Sequence, residues 1–399
     1  MRAIFPYLLV LGLFPACSGD DGTTSDTSDT SDGSGTSADE GGDADLNDRE
    51  LGASASERCR GAMTHAAKLT EAVRAGDAPG ALAAYTGTDL QTLVVQIDGA
   101  EGTADAAITA SLAIGDATEL AAVEGRLHAA LIGHLLSQLA AVKGGTMDHY
   151  ASWDEAHCIW DVAVRPIAVE ADAVTWTSVD ETIAADIDAG FAAGHDGLQG
   201  EPPATSADDW QVPPNKQRVE KSIYRAIQRV LVENATRARD DGDPARARYA
   251  LELFASVENR LAGRNTPGIE QVRTILGGDP AMIDPAAVLL ELEIAFAKRT
   301  RTYSSGAIDD NALGVPTGYE GAVEGGVYAK LLAPGLLDKV AGFELNGYLA
   351  AWDRYADLVR GGTELEELNA ISKYLVDTIC AYQTALGVSE CSSNVDETE

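Results

Sequence analysis

From about residue 57 onward, apolar residues recur at spacings of three and four, the period of one face of an α-helix. The pattern predicts helices over Glu57–Ala75, Ala104–Ile114, Asp116–Val142 and Met147–Val169, with Pro166 expected to kink or end the last. Ser178–Ala193 follows, capped by Ser178 or Asp180, then Val219–Asp240 and Ala245–Leu261, joined through Gly242-Asp243-Pro244. Pro285–Thr300, Gly326–Leu332, Gly335–Leu358 and Thr363–Leu386 complete the set, while Gly263–Pro267 and Tyr303–Glu324 read as loops. Thr92–Ile97 is the one short run with strand character. The expected fold is all-α, a bundle of helical hairpins. The Gly/Pro/Asp-rich stretch 194–215 is a candidate subdomain boundary. A short echo hints at two weakly repeated halves, since Tyr150 and Trp153-Asp154 are matched by Tyr348 and Trp352-Asp353.

The first residues follow a different pattern. Met1-Arg2 precede an apolar run from Ala3 to Ala16, too short to span a bilayer and suited to a secretory signal. The run ends in Leu13-Phe14-Pro15-Ala16-Cys17, which resembles a bacterial lipobox. The resemblance implies a signal peptide over 1–16, acylation of Cys17 and, with Ser18 next, an outer-membrane lipoprotein facing the periplasm or the cell surface. Residues 17–50 are nearly all Ser, Thr, Gly, Asp and Glu, and such a segment reads as a disordered acidic tether. Residues 51–391 are left for the helical domain and 392–399 for an acidic tail.

Charge narrows the partners. The chain carries a formal charge of −34, and residues 18–50 hold eleven acids and one arginine. With Arg2 counted, −25 falls from Leu51 onward. Such a field attracts cations and disfavours nucleic acid and anionic lipid, so contact with a membrane is expected through the anchor alone. The domain has four cysteines, Cys59, Cys158, Cys380 and Cys391. An even number in an exported chain predicts two disulfides, with three pairings open, among them a bridge between the two ends of the domain.

The densest chemistry lies on the Met147–Val169 helix: His149, Trp153, Asp154, His157, Trp160 and Asp161. At roughly 100° per residue, Asp154, His157 and Asp161 share a wedge of about 60°, with His149 at its edge. One imidazole and two carboxylates suit iron, and other divalent metals fit the same donors. A second helix must complete the shell, and Glu220, Asp186 and Glu258 are candidates on residue type alone. The competing reading is an amphipathic helix with tryptophans in the core and solvated acids beside them. His128 and His134 read as ordinary helix residues, and His65 and His195 are isolated, the latter in a Gly-rich loop. Glu220, Lys221, Arg225 and Arg229 read as ion pairs on an exposed helix face, with anion binding as the alternative.

GxSxG, HExxH, P-loop and GxGxxG signatures are missing, as is the His-x-x-Glu signature of imelysin-like envelope proteins, and no enzyme is expected. The stretch Asp186–Gly194, then Arg218–Ile227, then Ala247–Phe254 resembles the helical repeat of the algal iron-assimilation proteins, also called low-iron-inducible periplasmic proteins, which have bacterial relatives. The Trp153-Asp154-Glu155-Ala156 helix fits the same pattern. The resemblance covers about a third of the chain and carries no ligand set. It implies an extracytoplasmic helical protein that binds iron for uptake and hands it to an envelope transporter or receptor. The rival expectation is a structural or protein-interaction lipoprotein that binds no metal.

Overall fold

A computed structural model describes residues 50–99, 102–144, 148–177, 179, 182–199 and 206–392. The expected signal, Cys17, the tether up to Arg49, all but the first residue of the acidic tail and the proposed caps Ser178 and Asp180 lie outside the described residues. In chain order the helices are α1 (Glu57–Arg74), α2 (Ala78–Tyr85), α3 (Asp89–Asp98), α4 (Thr103–Ile114), α5 (Ala117–Gly144), α6 (His149–Ile159), α7 (Arg165–Asp172) and α8 (Ile183–His195). After a two-residue hairpin, β1 (Leu198–Gln199) with β2 (Ser206–Ala207), come α9 (Val212–Asp241), α10 (Pro244–Phe254), α11 (Glu258–Leu261) and α12 (Thr266–Leu276). The chain closes with α13 (Pro285–Asp309), α14 (Pro316–Lys339), α15 (Leu345–Gly361) and α16 (Leu365–Ala385). The all-α expectation holds.

Side chains of Ser56, Asp77, Thr88, Asp148, Asp243 and Asp284 cap α1, α2, α3, α6, α10 and α13, each accepting from a backbone N–H of the first turn. These caps satisfy donors that the helix cannot pair itself. α9 runs through the middle and is covered by α8, α14, α10, α7 and α13. α5 lies between α10 and α6, and α13 joins α14 to α16. One continuous apolar core reaches from Cys59 to Leu386. No described helix is long and apolar enough to cross a membrane.

Several boundaries differ from expectation. Thr92–Ile97 belongs to α3, because Leu90, Leu93 and Val94 recur at the helical period and Thr88 caps the start. That burial pattern outweighs the β-branched content. Pro166 neither ends nor kinks an α-helix in the usual way. A π-turn, Trp160–Val164, precedes it, with the Arg165 N–H donating to the Trp160 carbonyl, and Pro166 then enters the first turn of α7, where its missing N–H is harmless. α14 runs straight through Pro334, so the break expected at 333–334 falls instead at 340–344. The buried Arg229 guanidinium donates to the Leu331 carbonyl at 2.9 Å, in the turn that Pro334 interrupts. The expected Tyr303–Glu324 loop is mostly the end of α13 and the start of α14.

The Trp-Asp echo is real in packing and absent in chemistry. A methyl group at Gly194 on α8 would overlap the Trp153 ring, and one at Gly325 on α14 would overlap the Trp352 ring. Each tryptophan therefore lies flush on a glycine of the neighbouring helix. Asp154 is buried, whereas Asp353 is exposed.

Buried ionisable groups tie the fold to pH. His128 on α5 is buried, its Nδ1 3.1 Å from the Tyr249 hydroxyl, and burial, with Arg74 adding, pushes its pKa down to about 3. An unfolded histidine takes up a proton near pH ~6.5, whereas the folded one waits until about 3. The folded state therefore keeps its full stability above the unfolded value and loses it as pH falls through that window, by up to ~1.4 kcal/mol per pH unit. Denaturant titrations between pH 7 and 4 are expected to show the parent losing more stability than His128→Gln. Parallel profiles would contradict this.

Candidate functional site

The site begins with the segment that leads into α1. Gly52 donates its N–H to Asp154 Oδ1 at 2.9 Å and Ser54 donates to Oδ2 at 2.7 Å. One turn on, Ser56 donates through its N–H and hydroxyl to Glu155 Oε2 at 3.2 and 3.0 Å. Two consecutive acids of α6 thus clamp the backbone of 52–56 across the bundle. Gly52 has φ +90°, and a Cβ there would lie 3.4 Å from His157 Nδ1, so both the turn and the close approach call for glycine.

This clamp separates the three residues of the wedge. Different neighbours lie over the successive turns that carry them. The Gly52–Ser54 backbone covers Asp154, which is fully buried with both carboxylate oxygens occupied. His157 is half-buried beside Gly52, and Asp161 is exposed. His157, Cys158 and Asp161 line one open groove with Glu50, Arg60 and Met63, a space of ≈ 590 Å³ between the 50–55 segment, α1 and α6. Asp154 therefore acts as a clamp, and His157 and Asp161 are the members of the wedge that face a space. His149 lies elsewhere: it is buried, does not line the groove, and neither ring nitrogen has a hydrogen-bond partner among the described residues.

Two residues near the site carry no signal in the sequence that would place them there. His195, at the end of α8, is buried against Tyr150, with ring centroids 5.5 Å apart, and its Nε2 is 3.8 Å from Asp154 Oδ1. Asp188 accepts from the Trp160 indole at 2.8 Å and from Arg165 Nη2 at 3.1 Å. Only the packing of α8 on the clamp brings them here, and no spacing within the sequence signals it. Burial lowers the His157 pKa, opposed by Asp161, Asp154 and Asp188, so the imidazole stays neutral near pH 7, the form that binds metals.

The acids named to complete a coordination shell are committed elsewhere. Glu220 pairs with Lys216 at 2.8 Å, Lys221 at 2.9 Å and Arg260 at 3.3 Å. Asp186 is held by Arg225 at 3.0 Å and Lys330 at 3.5 Å, and Glu258 by Arg273. Among the described residues no group of three or more His, Cys, Asp or Glu side chains is gathered to hold a metal.

The α9 charges are buried, contrary to the exposed face expected for them. Glu220, Lys221, Arg225 and Arg229 are at most 4 % exposed. Lys221 Nζ bridges Glu220 at 2.9 Å and Glu324 of α14 at 3.1 Å, between the rings of Tyr224 and Tyr328. The Tyr224 hydroxyl donates to Glu220 at 2.8 Å, and Arg260 lies over the Tyr224 ring. The periodicity of charge is the same for an exposed helix and for a central one whose charges all find partners, and only the neighbours tell them apart. A second cleft of ≈ 560 Å³, between α8, α9, α14 and α15, is lined by both signs of charge, Arg218 and Lys330 against Asp186, Asp353 and Asp357.

The cysteines resolve in part. Cys380 and Cys391 are bonded, which closes the C-terminal end on itself and excludes the expected bridge from Cys59 to either of them. Cys59 and Cys158 are thiols, the first fully buried and the second half-buried. Comparison with protein-family models, with curated proteins and with solved structures gives no match for this chain.

Proposed function

We propose that this chain is a lipid-anchored extracytoplasmic protein that captures a metal ion, iron foremost, in the groove between the 50–55 segment and α6, and passes it to an envelope transporter or receptor. The observation that carries the reading is that His157 and Asp161 line one open groove. Glu50 lines the same groove. The strongly negative chain raises the local cation concentration at such a mouth. Two or three protein donors leave coordination positions to water or to a chelate carried by the metal. An incompletely filled shell suits capture and release, as opposed to a closed structural site. Iron is preferred over other divalent metals because of the likeness of the α8–α10 stretch to the iron-assimilation repeat, and the membrane anchor rests on the likeness of residues 13–17 to a lipobox.

The test is calorimetric titration of untagged protein with Fe(II) and Fe(III). The parent is expected to take up one ion per chain, and His157→Ala/Asp161→Ala to weaken binding about 100-fold or more. Thermal stability should be nearly unchanged, because neither side chain is fully buried. Equal affinity in parent and variant would refute the site. A second reading, a protein-docking module, is favoured by the apolar part of the same groove, Leu51, Ala55, Met63, Ala67 and Val162. Under that reading neither protein binds metal.

A further inference from the structure

We propose that Cys59 and Cys158 form a second disulfide, a cross-link from α1 to α6 that locks the wall of the groove. The two residues are 99 positions apart and are brought together by the clamp. Cys59 is the third residue of α1, its N–H donating to the Ser56 cap at 3.0 Å, and Ser56 is itself bound to Glu155. The Cys59 Sγ lies 3.8 Å from the Glu155 carbonyl oxygen. Cys158 is one turn further along α6 on the same side, lining the groove beside Arg60, Met63 and Ala67 of α1. Both cysteines thus lie where α1 and α6 pack against one another. Cys380 and Cys391 satisfy one another, so among the described residues each of these thiols is the other's one available partner.

The chemistry requires an oxidant, and a disulfide-donating thiol oxidoreductase of an oxidising compartment supplies it. Cys158, the thiol that reaches the groove, attacks the donor disulfide and one donor sulfur leaves as a thiol. Cys59 then displaces the second donor sulfur from Cys158. Two electrons and two protons pass from the cysteines to the donor, which departs as a dithiol, and one S–S bond replaces another. The cross-link does not depend on any bound cation.

The experiment uses the full chain secreted by a bacterial host, alkylated under denaturing conditions without reductant and mapped by mass spectrometry of its peptides. A cross-linked pair carrying Cys59 and Cys158, separate from the Cys380–Cys391 pair, is expected. Alkylation of both residues, or their linkage to any other cysteine, would overturn the proposal. As a second arm, Cys380→Ser/Cys391→Ser leaves only the proposed bond in the domain. Its Tm is expected to fall by about 5 °C or more on reduction, because the bond closes a long loop in the unfolded chain. An unchanged Tm would likewise overturn it.

Discussion

Lys221→Met is expected to destabilise the domain by about 3–5 kcal/mol at pH 7, the range found when one member of a buried ion pair is removed. Lys221 is buried on α9 and its ammonium is shared by Glu220 and Glu324, two carboxylates that are themselves buried. Met fills the space of the aliphatic stem but leaves a negative charge in excess between α9 and α14. Glu220 keeps Lys216 and Arg260, whereas Glu324 loses its ion pair with Lys221. Lys221→Met/Glu324→Gln should therefore recover a large part of the loss. The pH dependence has a definite sign. Burial pushes the Glu220 carboxyl up, but Lys221, Lys216 and Arg260 outweigh it and hold the group well below the ordinary carboxylate range. A depressed folded pKa adds stability that is present above the unfolded value and lost as pH falls through the folded one. Removing Lys221 raises the folded value, so the gap between parent and variant should be widest at neutral pH and narrow below pH ~4. Guanidinium denaturation at pH 7 and pH 3.5 measures both quantities. A gap under ~0.5 kcal/mol at pH 7 would mean that the network contributes no net stability.

Gly194→Ala should cost about 3 kcal/mol, a large effect for a single methyl group. The added carbon would overlap Cζ2 and Cη2 of the Trp153 ring, far inside van der Waals contact. Trp153 cannot yield: it is fully buried, donates its indole N–H to the Phe191 carbonyl at 3.0 Å and packs edge-on against the Phe191 ring. The usual helix propensity argues the other way, since Ala exceeds Gly by up to ~1 kcal/mol in a helix interior. Gly133→Ala on α5, where nothing lies within 4 Å of the new carbon, isolates that term and should stabilise. Opposite signs for the two variants in thermal melts are the expected result. Stabilisation by both would mean that the Trp153 ring does not lie flush against Gly194 of α8.

The helical class was legible because burial along most elements follows the helical period, as Leu69 and Val73 do on α1 or Leu368, Leu375 and Ile379 on α16. α9 was legible as a helix but not as the centre of the bundle. Its Glu220, Lys221, Arg225 and Arg229 look like solvated charges until α14 supplies Glu324 and the Leu331 carbonyl. Strand character at Thr92–Ile97 misled because β-branched residues are only mildly unfavourable in helices, and Leu90, Leu93 and Val94 outweigh them. The site was half legible. Helical geometry grouped Asp154, His157 and Asp161, but Gly52 and Ser54, a hundred residues upstream, cover Asp154 and part it from the other two. No local pattern encodes that pairing. His195 was unreadable for the same reason, since α8 brings it to Asp154 only through the tertiary fold.

Crystals of the parent protein soaked in ferrous or ferric salt, with diffraction recorded on both sides of the iron absorption edge, locate a bound ion without ambiguity. One anomalous peak is expected in the groove, ~2.0–2.2 Å from a His157 ring nitrogen and an Asp161 carboxylate oxygen. A groove free of anomalous density at saturating iron, or a peak bound by other residues, would contradict it.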